Sequence, residues 1–269
     1  MPRQSNLRTL EGGTHMMADR LKPFILPVAI VIALECAARA THLQSDSLAP
    51  PSAIVVAFFQ SIADGSLAVA TRDTLVSAFA GLVIGAAIGL LFGLALGMST
   101  LFDRSMEVTI ESIRPIPSVA LLPIALIALG FGYRMEIAIV AFASVWPLLI
   151  LTRAAVRGVE PRLLEVSRAL RLGTAAQVTK IIIPAALPRI FIAFRLAAGI
   201  ALIVAVTVEI TANPLGLGAA IMTAQQALRP DLMLALLVWI GLVGFGLNVL
   251  LMLMQQRLFG RAATVEQGA

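Results

Sequence analysis

The chain is poor in charge, cysteine and histidine, and each shortage excludes something. Only 13% of its 269 residues are charged, against about 25% in an ordinary soluble domain, too few to coat a water-exposed surface. The single cysteine, Cys36, forbids an intrachain disulfide, and because it lies in an apolar run it says nothing of the redox compartment. His15 and His42 stand far apart in polar segments, so no metal site is expected. With no histidine in any apolar run, an intramembrane enzyme built on a nucleophile–base pair or a metal is disfavoured, and no catalytic residue is assigned. The net charge is +5, but no basic stripe is interleaved with aromatics, so no nucleic acid is expected as a partner.

What is abundant is apolar sequence: 59% of residues are hydrophobic and the mean hydropathy is +0.95. The excess falls in six runs, 24–40, 74–98, 117–132, 137–151, 190–210 and 232–254. An all-α, polytopic membrane protein with six transmembrane helices in the lipid bilayer is the expectation. The third and fourth runs fall short of the ~20 residues a straight span needs. A tight helical hairpin at 130–136 reconciles them. The leader 1–22 reads as a disordered cytoplasmic segment, 23–256 as the membrane domain with its core at 68–254, and 257–269 as a cytoplasmic tail. No small-residue cleavage site follows the first run, so no cleavable signal peptide is expected, and Met16 or Met17 would serve as a start as well as Met1. Placing both termini in the cytoplasm puts fifteen Lys and Arg in inner segments and four outside, with Arg195 in the first turns of the fifth run. The positive-inside rule therefore favours that orientation.

Some residues stand out within the runs. Gly81, Gly85, Gly89, Gly93 and Gly97 recur every fourth residue, which lays a smooth groove along one helix face, for packing inside the subunit or against another. Glu35 and Arg39, four apart with the acid first, suit a structural helical ion pair. Glu209 ends an apolar run with no basic partner nearby. It is a candidate for the pathway, for snorkelling, or for accepting hydrogen bonds from the turn at 213–218. Arg114, Pro115 and Pro117 precede the third run, where proline frees backbone carbonyls. Such irregularity at bilayer depth marks a cavity lining or a plain kink.

The loop 153–189 is the only long inner connection. Pro161 at a first-turn position, followed by Leu163, Leu164, Val166, Leu170 and Leu172, predicts an amphipathic helix over 161–180. Such a helix under a bundle docks on a partner or rests on lipid.

The stretch from Glu165 through Ile181 to Pro184 resembles the cytoplasmic-loop signature of ATP-binding-cassette (ABC) importer permeases. Ser167 stands at the second alanine position and Arg171 at the glycine position, with Gly173 two residues later. Leu48-Ala-Pro-Pro-Ser, Arg114-Pro-Ile-Pro, Leu122-Pro123, Gly130-Phe-Gly132, Arg195, Glu209-Ile-Thr-Ala and Gly216-Leu-Gly218 extend the likeness toward the nitrate, sulfonate, taurine and bicarbonate subgroup. The resemblance implies a type I importer permease fold with a cytoplasmic coupling helix, in a bacterial inner membrane. It implies two copies, or this chain and a close relative, around a pathway for a small solute, an anion such as a sulfonate, taurine or nitrate, with two ABC ATPase subunits beneath and an extracytoplasmic solute-binding protein. Glu165, Ser167, Arg168, Ala169, Leu170, Arg171 and Gly173 would then meet the ATPase, with Arg114, Pro117 and Glu209 near the pathway or gate. The chain has no G-x-x-x-x-G-K-[ST] phosphate loop, so ATP and Mg belong to the partner and no cofactor is expected here. The alternative, a self-sufficient secondary transporter, would show more intramembrane ionisable residues and paired broken helices.

Overall fold

The computed structural model describes residues 25–40 and 47–260, all helix and connecting turn. Helix α1 covers 25–40. It is followed by α2 (Pro51–Ala63), α3 (Ser66–Met98), α4 (Thr100–Ile113), a 3-10 turn (Ser118–Leu121), α5 (Leu122–Leu129) and α6 (Tyr133–Arg157). Next come α7 (Pro161–Ala169), α8 (Thr174–Gln177), a π turn (Val178–Ile182), α9 (Ile183–Thr211), α10 (Gly216–Gln226) and α11 (Pro230–Phe259). The leader 1–22, His15, His42 and residues 261–269 of the C-terminal tail lie outside the described residues, while 257–259 of that tail continue α11.

Three helices form the core, and each offers it a stripe at four-residue spacing. A β-carbon built on Gly81, Gly85, Gly89, Gly93 or Gly97 of α3 would fall 2.6–2.8 Å from Val140, Ser144, Leu148, Thr152 or Val156 of α6 or the backbone beside them. The two backbones touch, so the glycine groove serves packing inside the subunit. The third stripe is Ala193, Ala197, Ala201 and Ala205 of α9, each almost wholly buried. Small residues on two of three helices let the rods approach closely where lipid supplies no hydrophobic drive.

The glycine partners rise in number together, so α3 and α6 run parallel. The chain between them must therefore cross back, and α4 with α5 does so as one broken element bent by 79°. Proline causes the break: Pro115 and Pro117 cannot donate to the preceding turn, and the chain restarts in the 3-10 turn. Among the described residues four helices are long and apolar enough to cross a membrane, and five if the bent pair counts as one crossing.

Several boundaries differ from those read in the sequence. The fourth run is not short: α6 has 25 residues, because the polar residues at its start are used rather than excluded. The hairpin before it is present, with Gly130 at φ 74° and Gly132 at φ 105°. The fifth run begins earlier, at Ile183, which moves Arg195 three turns into α9. The helix expected over 161–180 stops at Ala169. There the Leu172 amide donates to the Ser167 carbonyl (3.0 Å) and the Arg171 amide to the Arg168 carbonyl (2.9 Å). That is the paired-bond cap in which a left-handed residue ends a helix, and Arg171 supplies it at φ 48°.

Candidate functional site

Two places gather the residues marked in the sequence, one at each end of the core. At one end, Leu164 of α7 packs on a small cluster of Ala155 and Val156 from α6, Val159, and Ile182 and Ala186 around the start of α9. This contact pins one face of α7 to two core helices. The opposite face carries Leu163, Val166 and Leu170, an i, i+3, i+7 apolar stripe left exposed, with Leu170 65% accessible. Glu165, Arg168, Ala169, Arg171 and Gly173 are also exposed and frame it. Ser167 departs from the expectation. It is buried, and its hydroxyl donates to the Leu164 carbonyl at 2.7 Å, so it secures the helix and offers a partner nothing. The sequence reading passed over Leu163 and Val166 as contact residues, although their spacing already put them on Leu170's face.

The same end holds an ionic clamp that the sequence did not reveal. Asp103 of α4 is buried and takes Arg153 and Arg157 of α6, both at 2.6 Å. Arg157 also donates to the Leu96 carbonyl at the close of α3. The close of α3, the start of α4 and the close of α6 are thereby tied together.

At the far end the three stripes run into polar residues. Continuing each register by whole turns reaches Ser77 and Asp73 on α3, Glu136 on α6 and Glu209 on α9. Glu136 is 1% exposed and Glu209 2%, and they lie near enough to feel each other's charge. Asn213 donates its side-chain amide to Glu136. Glu209 accepts from the Gly218 amide (2.8 Å), at the start of α10, where the helix dipole favours an anion. Thr74 accepts from the Leu217 amide (2.9 Å), and Asp73 from Tyr133 (2.8 Å) and Arg72. Of the three readings open for Glu209, the structure selects hydrogen bonding from the following turn. Glu209 is thereby buried in the single chain in this conformation. Gly216 explains the fit: at φ 88° it turns the chain over the Glu209 carboxylate, which a β-carbon there would overlap.

Arg114 and Pro117 are exposed at the bend between α4 and α5, with Arg114 3.5 Å from Glu111. Beyond the bend, α5 is bare on one side, Ile127 being 88% accessible. Glu35 pairs with Arg39 at 2.6 Å and also takes both the amide and the hydroxyl of Ser52, tying α1 to the start of α2. Among the described residues no group of three or more His, Cys, Asp or Glu gathers that could hold a metal ion.

A bundle of long apolar helices around a glycine seam, carrying an exposed short helix between α6 and α9, is the architecture of a membrane transport subunit. The chain belongs to the family described as binding-protein-dependent transport system inner membrane component, whose model matches residues 81–263. It is the permease subunit of an ABC importer, an inner-membrane protein of a class that works with an ATPase and a binding protein. Its relatives include SsuC of Escherichia coli, whose name assigns it to aliphatic sulfonate transport. The two are 31% identical over 84% of this chain and 86% of that protein. The bicarbonate transport system permease CmpB of Synechococcus elongatus is also 31% identical, over 71% of this chain and 66% of its own. Among solved structures, an inward-facing MetNI methionine ABC transporter shares the fold. Its TM-score is 0.62 at 20% identity, with 71% of this chain and 93% of that one covered. These findings set aside the secondary transporter.

Proposed function

We propose that two copies of this chain enclose a pathway for a small oxyanion, and that each docks on an ATPase subunit through the exposed face of α7. The observation that carries the docking is the two-sidedness of α7. Leu164 holds it to the core, while Leu163, Val166 and Leu170 present an apolar stripe framed by Glu165, Arg168, Ala169, Arg171 and Gly173. A stripe of that spacing suits a groove on a folded partner. ATP and Mg are bound by that partner, the chain itself carrying no catalytic group, and a solute-binding protein delivers cargo on the opposite side. Both termini lie in the cytoplasm, as the excess of Lys and Arg there supports. An anionic cargo is favoured by the relatives, whose names specify sulfonate, nitrate and bicarbonate. Arg114 and Pro117, at the bend leading to the bare face of α5, belong beside the pathway.

The test is co-purification of the ATPase with variants of α7. Val166→Asp with Leu170→Asp removes the ATPase from the complex, and Arg168→Glu with Arg171→Glu loosens it. Ser167→Ala, altering a buried hydroxyl, leaves it in place. Full recovery of the ATPase with the doubly acidic variant refutes the docking.

A further inference from the structure

We infer that Arg195 of α9 and Asn248 of α11 together form a binding site for a small oxyanion at bilayer depth. The inference rests on the anionic cargo proposed above and names the group that receives it.

Depth comes first. At roughly 1.5 Å per residue, Arg195 lies about 18 Å from the start of α9 and about 24 Å from its end. A hydrocarbon layer of about 30 Å lying wholly within the length of α9 contains it. Asn248 sits equally deep on α11, about 27 Å and about 17 Å from the two ends. An arginine held at such depth is costly and calls for a reason.

The pairing supplies one. Arg195 donates Nε–H to Asn248 Oδ1 at 2.9 Å, and among the described residues no carboxylate forms an ion pair with it. Guanidinium carries five N–H donors and no acceptor, and a side-chain amide carries one acceptor oxygen and an NH₂. Arg195 takes one of the two lone pairs of Asn248 Oδ1, so the pair keeps six N–H donors against a single lone pair. That excess of donors, around a fixed positive charge, matches a sulfonate, nitrate or bicarbonate, whose planar or trigonal oxygens fit the guanidinium fork. The bond through Nε also directs the guanidinium toward α11. A snorkelling arginine would instead extend toward the membrane surface.

Space is the third element. One turn along α9 stands Gly199, and one and two turns back along α11 stand Gly244 and Gly241. A β-carbon on Gly199 or Gly241 would meet nothing within 4 Å, and on Gly244 only Leu202 at 3.5 Å. The floor beside the two polar residues is therefore bare backbone. Leu196, Ile203 and Phe245 of the same two helices are exposed on the single chain. In that apolar setting a charge-assisted hydrogen bond is stronger than in water.

Asn248→Asp is the decisive variant. A carboxylate there keeps and strengthens the tie to Arg195 while cancelling the charge the anion needs. Proteoliposomes holding the whole transporter, purified with its ATPase and supplied with its binding protein, are assayed for uptake of a labelled alkanesulfonate, nitrate and bicarbonate. With Asn248→Asp, KM for the transported anion rises at least tenfold, although the ATPase still co-purifies. Arg195→Lys, which keeps the charge and loses the fork, raises KM less than Arg195→Met does. Wild-type KM and kcat in Asn248→Asp overturn the site, because a purely structural Arg195 is served as well by Asp as by Asn. Should Asn248→Asp fail to assemble, Arg195→Lys and Arg195→Met still decide, and wild-type KM in both overturns the site. A wild-type transporter that imports none of the three anions and does import a neutral or cationic solute overturns the anionic cargo itself.

Discussion

A single methyl group at the centre of the glycine seam gives the sharpest test of how the core is built. In Gly89→Ala the new β-carbon would stand 2.7 Å from the Val145 carbonyl oxygen and 2.8 Å from Leu148 Cβ. To reach ordinary contact the helices must part by about 0.6 Å, a gap that forfeits roughly a quarter to a half of each neighbouring dispersion contact. Overpacking of this kind costs about 1–3 kcal/mol, and the better helix propensity of alanine returns up to about 1 kcal/mol. A net loss of about 1–2 kcal/mol is expected. The separation is a rigid-body one, so the shift that relieves residue 89 also relieves residue 85. Gly85→Ala with Gly89→Ala should therefore cost less than the sum of the two single changes. Gly246→Ala, where a β-carbon meets nothing within 4 Å, is the control and should not destabilise. Tryptophan fluorescence of the purified protein, titrated with denaturing detergent, reads the midpoints. Trp146 on α6 and Trp239 on α11 report on both sides of the bundle. An unchanged midpoint for Gly89→Ala, or strict additivity in the double variant, refutes backbone contact along this seam.

Two further outcomes follow from positive-φ positions. Arg171→Gly relieves a left-handed residue in the cap that ends α7 and should stabilise that turn by about 1 kcal/mol, seen as slower amide exchange at Leu172. Gly216→Ala, strained at φ 88° and overlapping the Glu209 carboxylate, should cost more than about 3 kcal/mol and lower the yield of folded protein in membranes.

Apolar run length and glycine spacing made the membrane class, the long helices and the hairpin at Gly130 and Gly132 legible in the sequence. The coupling helix was legible in position but not in length. Its alternation of Leu163, Val166 and Leu170 continues plausibly past Ala169, and nothing in a run of Arg171-Leu172-Gly173 announces that the arginine, not the glycine, takes the left-handed turn. Glu209 drew attention because it was visibly costly, yet its role depends on Asn213, Gly216 and Gly218 folding back over it, a tertiary fact. Glu136 was read as part of a polar break ending a span, since local polarity outweighed its register. Counting back by fours from Val140, Ser144 and Leu148 would have placed it on the buried face. The Asp103 clamp needed knowledge that α4 lies against α6, which no local pattern carries.

The seam between α3 and α6 behaves like two meshed racks. Its teeth repeat every four residues, about 6 Å along the axis, so a slide of any smaller distance drives Val140, Ser144 and Leu148 off their glycines and onto bulkier neighbours. The pair can turn or tilt only as one piece. Whatever displacement a transport cycle demands must then be absorbed elsewhere, at the proline-broken elbow between α4 and α5 or along α11, the least buried of the four long apolar helices.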